Sequence, residues 1–174
     1  MNIKLLFLCI LSAGILQGCC FNGSCPDDVI EEPFQTAYEP IILDRAEFES
    51  SIVFETTKEI ENAGKIYVFE DFLFITEKRE GFHIYDNSDP SNPIALSFLK
   101  VPGATDIAIR NGVYYINQAV DLIAITLAIR ENSPTVSKRI RNVFPEIISP
   151  DGYFATGISE NEVVIGWQLI NPTP

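Results

Sequence analysis

The chain has 174 residues, a formal charge of −12 and four cysteines. That length carries one domain with a core. The acidity leaves no basic footprint for nucleic acid and should repel anionic headgroups. One histidine and a few cysteines do not give the spacing of a closed zinc site, so no metal and no cofactor is expected.

The first segment reads "MNIKLLFLCILSAGILQGC". Lys4 supplies a short positive region. Leu5 to Ile15 supply an apolar run shorter than the roughly 20 residues that span a bilayer. This is the pattern of a secretory signal over residues 1–18. Leu16-Gln17-Gly18-Cys19 resembles a bacterial lipobox, although family lipoboxes usually carry a small or aliphatic residue where Gln17 stands. The resemblance implies a diacylglycerol and palmitate-type acyl chains on Cys19, and a mature chain of 156 residues once 18 are removed. An ordinary signal peptide cleaved nearby is the alternative, with Cys19 and Cys20 free or paired. Buried acyl chains contribute about 0.8 kcal/mol per CH₂, and two chains hold where one does not. Cys9 leaves with the signal. Cys20 and Cys25 form a candidate disulfide in an oxidising compartment, closing a loop too small to add much stability.

Residues 19–40 read as a tether: polar, Pro-bearing and acidic, with Asp27, Asp28, Glu31 and Glu32 close behind the lipid site. A solvated spacer is one reading. The other is an address, because such a patch resembles the surface-display signal of some Gram-negative lipoproteins. The lipobox resemblance implies a bacterial envelope, as an outer-membrane lipoprotein, and the address reading adds surface exposure.

"LDRAEFESSI" predicts a helix of a turn or two, with Asp44 as N-cap and Glu47 three residues on. From Ile52 the pattern is short strands rich in β-branched and aromatic residues. These are "SIVFET", "KIYVFE", "FLFITE", "FHIYDN", "IALSFLKV", "TDIAIR", "VYYINQ", "DLIAITL", "TVSKRI", "GYFATG" and "EVVIGW". The fold class is all-β. "EDF" and "RNG" are tight-turn material, and Asn111-Gly112 is the stronger case because both residues tolerate positive φ. A repeat of about 40 residues places Val68 on Ala108, Leu73 on Val113, Phe74 on Tyr114 and Ile84 on Ala124; one inserted residue then brings Pro93 onto Pro134. Four strands per such period is the pattern of a propeller blade. Blades are expected at about 64–103 and 104–143, with a partial third from Gly152 to Trp167, all within a domain of 41–174.

"GFHIYDNSDPSNP", Gly81 to Pro93, resembles the LVIVD repeat, an apolar-x-apolar-x-Asp strand followed by Ser-Asp-Pro and a second Pro. Phe82, Ile84, Asp86, Ser88, Asp89, Pro90 and Pro93 take those positions; His83 and Tyr85 depart from the usual aliphatics. The second copy has Thr126 for the aspartate and lacks Ser-Asp-Pro. The resemblance covers roughly residues 40–170 and the N-terminal part of longer lipoproteins of that family. It implies a β-propeller on the outer envelope and no established general activity.

A ring of this kind needs 4–8 blades, and this sequence holds about two and a part. Three outcomes follow: a fragment of a longer propeller, a ring completed by homo-oligomerisation, or a small sheet stack that buries its faces another way. Ile52 to Thr57 is the candidate strand for pairing with a last blade. Little chemistry is visible. His83, on an alternating strand, reads as a packing or surface residue. Glu31–Glu32 and Glu160/Glu162 sit in tether or loop. Asp86 and Asp89 lack the spacing and distal Glu of a calcium loop. Trp167, Tyr114 and Tyr115 read as core, or as lining for a protein or glycan ligand. No catalytic residue is assigned. The expected role is a membrane-anchored, non-catalytic binding or scaffolding module; a truncated non-functional fragment and an envelope enzyme are the alternatives.

Overall fold

The computed structural model describes residues 36–170, and they form an all-β structure of three antiparallel sheets. Strand β1 (Tyr38–Asp44) begins within the last residues read as tether. It runs straight into helix α1 (Arg45–Ser50). Asp44 caps that helix as expected, its carboxylate accepting from the Ala46 N–H at 2.8 Å. The helix is short because Ser50 and Ser51 turn their hydroxyls back onto the carbonyls of Glu47 and Phe48.

The first large sheet is a meander of β3 (Ala63–Phe69), β4 (Phe72–Glu77), β5 (Gly81–Asp86) and β6 (Ile94–Lys100), with β2 (Val53–Glu55) added outside β6. The second is a meander of β7 (Ala104–Arg110), β8 (Val113–Gln118), β9 (Asp121–Ala128) and β10 (Ser133–Ile140). The two meanders repeat each other's hydrogen-bond register. A bulge between Ala63 and Ile66 recurs between Ala104 and Ile107. A second, between the Ser97 and Ala95 pairings, recurs between Lys138 and Val136. Even a loop bond recurs: Lys78 N–H donates to the Asn62 carbonyl, and Ala119 N–H to that of Gly103.

This register corrects the repeat alignment. The β3–β4 and β7–β8 hairpins correspond at an offset of 41 residues (Ala63 to Ala104), so Val68 matches Ile109, Leu73 matches Tyr114 and Phe74 matches Tyr115. The offset of 40 holds from Ile84 to Ala124. The turn before β9 is Ala119-Val120, one residue shorter than Lys78 to Glu80. A slip of one residue exchanges the faces of a strand, and strands apolar on both faces carry no alternation to betray it.

The sheets stack face to face. Phe74, Phe82, Ile84 and Leu99 of the first meet Ile107, Tyr114, Ile116, Ile123 and Ile125 of the second, all buried in one cluster. The Tyr114 ring lies 5.5 Å from Phe74 and 6.1 Å, edge-on, from Phe69.

The third sheet is a pair only, β1 with β11 (Glu162–Leu169). Two expectations are overturned here. Ile52 to Thr57 does not pair with a last sheet; Val53–Glu55 adds to the edge of β6, and β1 joins the final strand instead. "GYFATG" is not a strand: residues 152–157 run as turn and irregular chain. Its glycines at both ends take positive φ (93° and 75°), which breaks the extended run its aromatics suggest. Val163 joins Phe48, Ala119 and Val120 in a second buried cluster. A Cβ on Gly166 would sit 3.4 Å from Arg79 Cδ. The β1–β11 pair thus meets the β4–β5 and β8–β9 turns.

Candidate functional site

The inner edges of the two meanders, β3 and β7, border a groove of about 700 Å³. Tyr67, Val68 and Phe69 line one wall; Thr105 to Ile109 line the other, with Tyr115, Asn117 and Leu122 beside them. Asp106 is its only carboxylate. It accepts from the Tyr67 hydroxyl, from Lys65 and from the Ile107 N–H. Burial would raise this carboxyl, but the bonds from Lys65, Tyr67 and the Ile107 N–H outweigh it and hold it below the ordinary aspartate value. Tyr67 is pushed up, first by burial and then by its bond to Asp106. Asn117 repairs the bulge in β7: its Oδ1 accepts from Thr105 and Asp106 N–H, and its Nδ2 donates to Thr105 Oγ1. The polar side chains of the groove are therefore largely committed to one another, and what they offer is a shaped, aromatic-lined wall.

A second hollow, about 720 Å³, lies between Arg45, Val120, Asn142–Ile147 and Ala155–Val164. Beneath it is a buried ionic cluster. Asp121 has no exposure; its Oδ2 accepts from Arg45 and Arg139, each at 2.8 Å, and its Oδ1 accepts from Asn142 N–H. Gln118, also fully buried, accepts from Arg139 and donates to the Phe48 carbonyl. Both guanidinium groups sit about 5.5 Å from the Phe48 ring. The cluster ties α1 to the second meander.

The residue matching Gln118 in the first meander is Glu77. Its carboxylate accepts from the N–H groups of Glu61 and Asn62 and pairs with His83 Nε2 at 2.9 Å. Burial pushes Glu77 up, but His83 and the two backbone donors overcome this and leave it below its usual value. His83 is buried against Phe98, ring centroids 4.9 Å apart, which is the packing role expected of it.

The other residues singled out from sequence are dispersed. Cys19, Cys20, Cys25 and Glu31–Glu32 lie outside the described residues. Among the described residues no helix is long and apolar enough to cross a membrane. Asp86 and Asp89 each close an Asx turn onto the serine two residues on, Ser88 and Ser91. Those serine bonds hold both carboxyls low. Glu160 lies in a turn as expected, but Glu162 opens strand β11 instead of sitting in a loop, and it accepts from Ser159 N–H. Tyr114 is core, Tyr115 faces the groove, and Trp167 donates to the Ile147 carbonyl at 2.8 Å. Sequence reading missed Asp106, Asp121, Arg45 and Arg139. No local pattern marks them: a charge beside the turn at 119–120 reads as surface, and nothing near it points Asp121 toward an arginine 76 residues away. No family model, curated protein or solved structure matches the chain.

Proposed function

We propose that this chain is an envelope lipoprotein, held in the outer membrane by acyl chains on Cys19. Its folded part is a propeller-like, non-catalytic binding or scaffolding module. The observation that supports the module is the repeated register of two stacked four-stranded units, which is how propeller blades pack. The groove between their first strands suits an extended protein segment or a glycan, because it offers aromatic wall rather than free acid, base or nucleophile. The anchor rests on Leu16 to Cys19 and on the apolar run before them.

Metabolic labelling with palmitate tests the anchor. Label should enter the wild type, be lost in Cys19→Ala, and leave that variant soluble on fractionation. Label retained in Cys19→Ala would refute the lipid site. Replacing Asp27, Asp28, Glu31 and Glu32 together should abolish cleavage by protease added to whole cells if the acidic patch is a surface address; unchanged cleavage reduces it to a spacer.

A second reading, a fragment of a longer propeller lipoprotein, is favoured by the apolar side chains left exposed on the outer faces of the two meanders, Ile66, Val68, Tyr115 and Ile140. In-frame blade repeats in the DNA beyond codon 174 would support it.

A further inference from the structure

The open faces of the two meanders are not arbitrary surface. Residues paired across a strand point to the same side, so the register sorts every side chain onto an inner or an outer face. The outer face of the first sheet carries Ile66, Val68, Leu73 and Ile75; farther across, His83 and Phe98 lie on the same face but are buried, with Lys58 over the Phe98 ring, so the open part is the β3 side. Their register equivalents in the second sheet are Ile107, Ile109, Tyr114 and Ile116, the residues packed against the first sheet. The outer face of the second sheet carries Tyr115, Leu122, Ala124 and Ile140. Their equivalents are Phe74, Phe82, Ile84 and Leu99, the other half of that same packed core. The open part of each face thus repeats part of one side of an interface already formed within the chain. Ile66 and Val68 are each 63% exposed, Ile140 48% and Tyr115 39%. The β1–β11 pair does not hide them, because it packs on α1 and the turns.

We propose that a second copy of this chain docks here, head to tail, the outer face of its first sheet lying on the outer face of the second sheet. The junction continues the interface between the two meanders. It is heterologous, so successive copies add until a ring closes or a filament grows. The proposal rests on the stacked-repeat part of the reading above and not on the lipid anchor.

The test is the mass of the full chain by sedimentation in detergent, with the micelle contribution subtracted. Wild type should sediment at two or more chain masses and dissociate on dilution. Ile66→Lys with Val68→Lys, and separately Tyr115→Lys with Ile140→Lys, should each sediment as monomers with unchanged circular dichroism. An equimolar mixture of the two variants keeps one intact junction and should give a dimer and nothing larger, a twofold rise in mass. Monomeric wild type at every concentration would overturn the proposal and leave these faces to further blades or another partner. So would a variant that self-associates like wild type, or a mixture that stays monomeric. The readout does not depend on Cys19, so loss of palmitate label and loss of association are separate failures.

Discussion

Asp121 has the most concentrated role of any side chain described. Two guanidinium groups and a backbone N–H converge on it with no access to water. Removing one partner of a buried pair strands the other, which costs about 3–5 kcal/mol. Asp121→Ala should lower the free energy of urea unfolding by an amount in that range, whereas Arg130→Ala, which breaks the exposed pair with Asp86, should change it little. Glu77 makes a pH prediction. Its folded-state value is depressed, so the stability it contributes is present above the ordinary glutamate value of about 4.3 and is lost as pH falls through the depressed one. Urea midpoints measured from neutral pH downward should fall less steeply in Glu77→Gln than in wild type. Some slope should remain, because Asp86, Asp89, Asp106 and Asp151 are lowered as well.

Among the turns, two glycines with positive φ are expected to behave differently. Gly112, in the two-residue loop Asn111-Gly112, has open space where a Cβ would go. Gly112→Ala should cost about 1 kcal/mol, the price of a left-handed alanine alone. Gly81 opens β5 at φ 150°, where a Cβ would lie 2.0 Å from the Leu99 carbonyl oxygen. Relief requires the β5–β6 pairing to part, so Gly81→Ala should lower the unfolding free energy by more than about 3 kcal/mol and reduce expression. The same strand carries the Asp-rich turn after Asp86, whose geometry accounts for the recurring aspartate and serine without a bound ion.

Across the whole molecule, the two meanders share one core and should unfold together. Calorimetry should record a single transition for both sheets, and Phe74→Ala should shift it to lower temperature with a loss of about 3–5 kcal/mol in unfolding free energy, because Phe74 fills the seam between them. Two separated transitions would mean that the sheets are independent units.

Local pattern was enough for the strands β2 to β11, the Asp44 cap, the Asn111-Gly112 turn and the two-unit repeat, because each depends on a few neighbouring residues and the period of their hydrophobicity. It was not enough for register, since strands buried on both faces read alike when slipped by one. It gave no sign of β1, whose residues read as tether and helix start, nor of where β2 pairs: an edge strand has the same composition on either edge, and the choice is made by which open edge lies nearest in space. The Asp121 cluster was hidden for a related reason. Its members come from α1, β9 and β10, and a buried charge is tolerable only once the folded chain brings its partners to it. The lipid-site reading rests on sequence alone, whereas the complementarity of the two outer faces emerged only when the strands were paired.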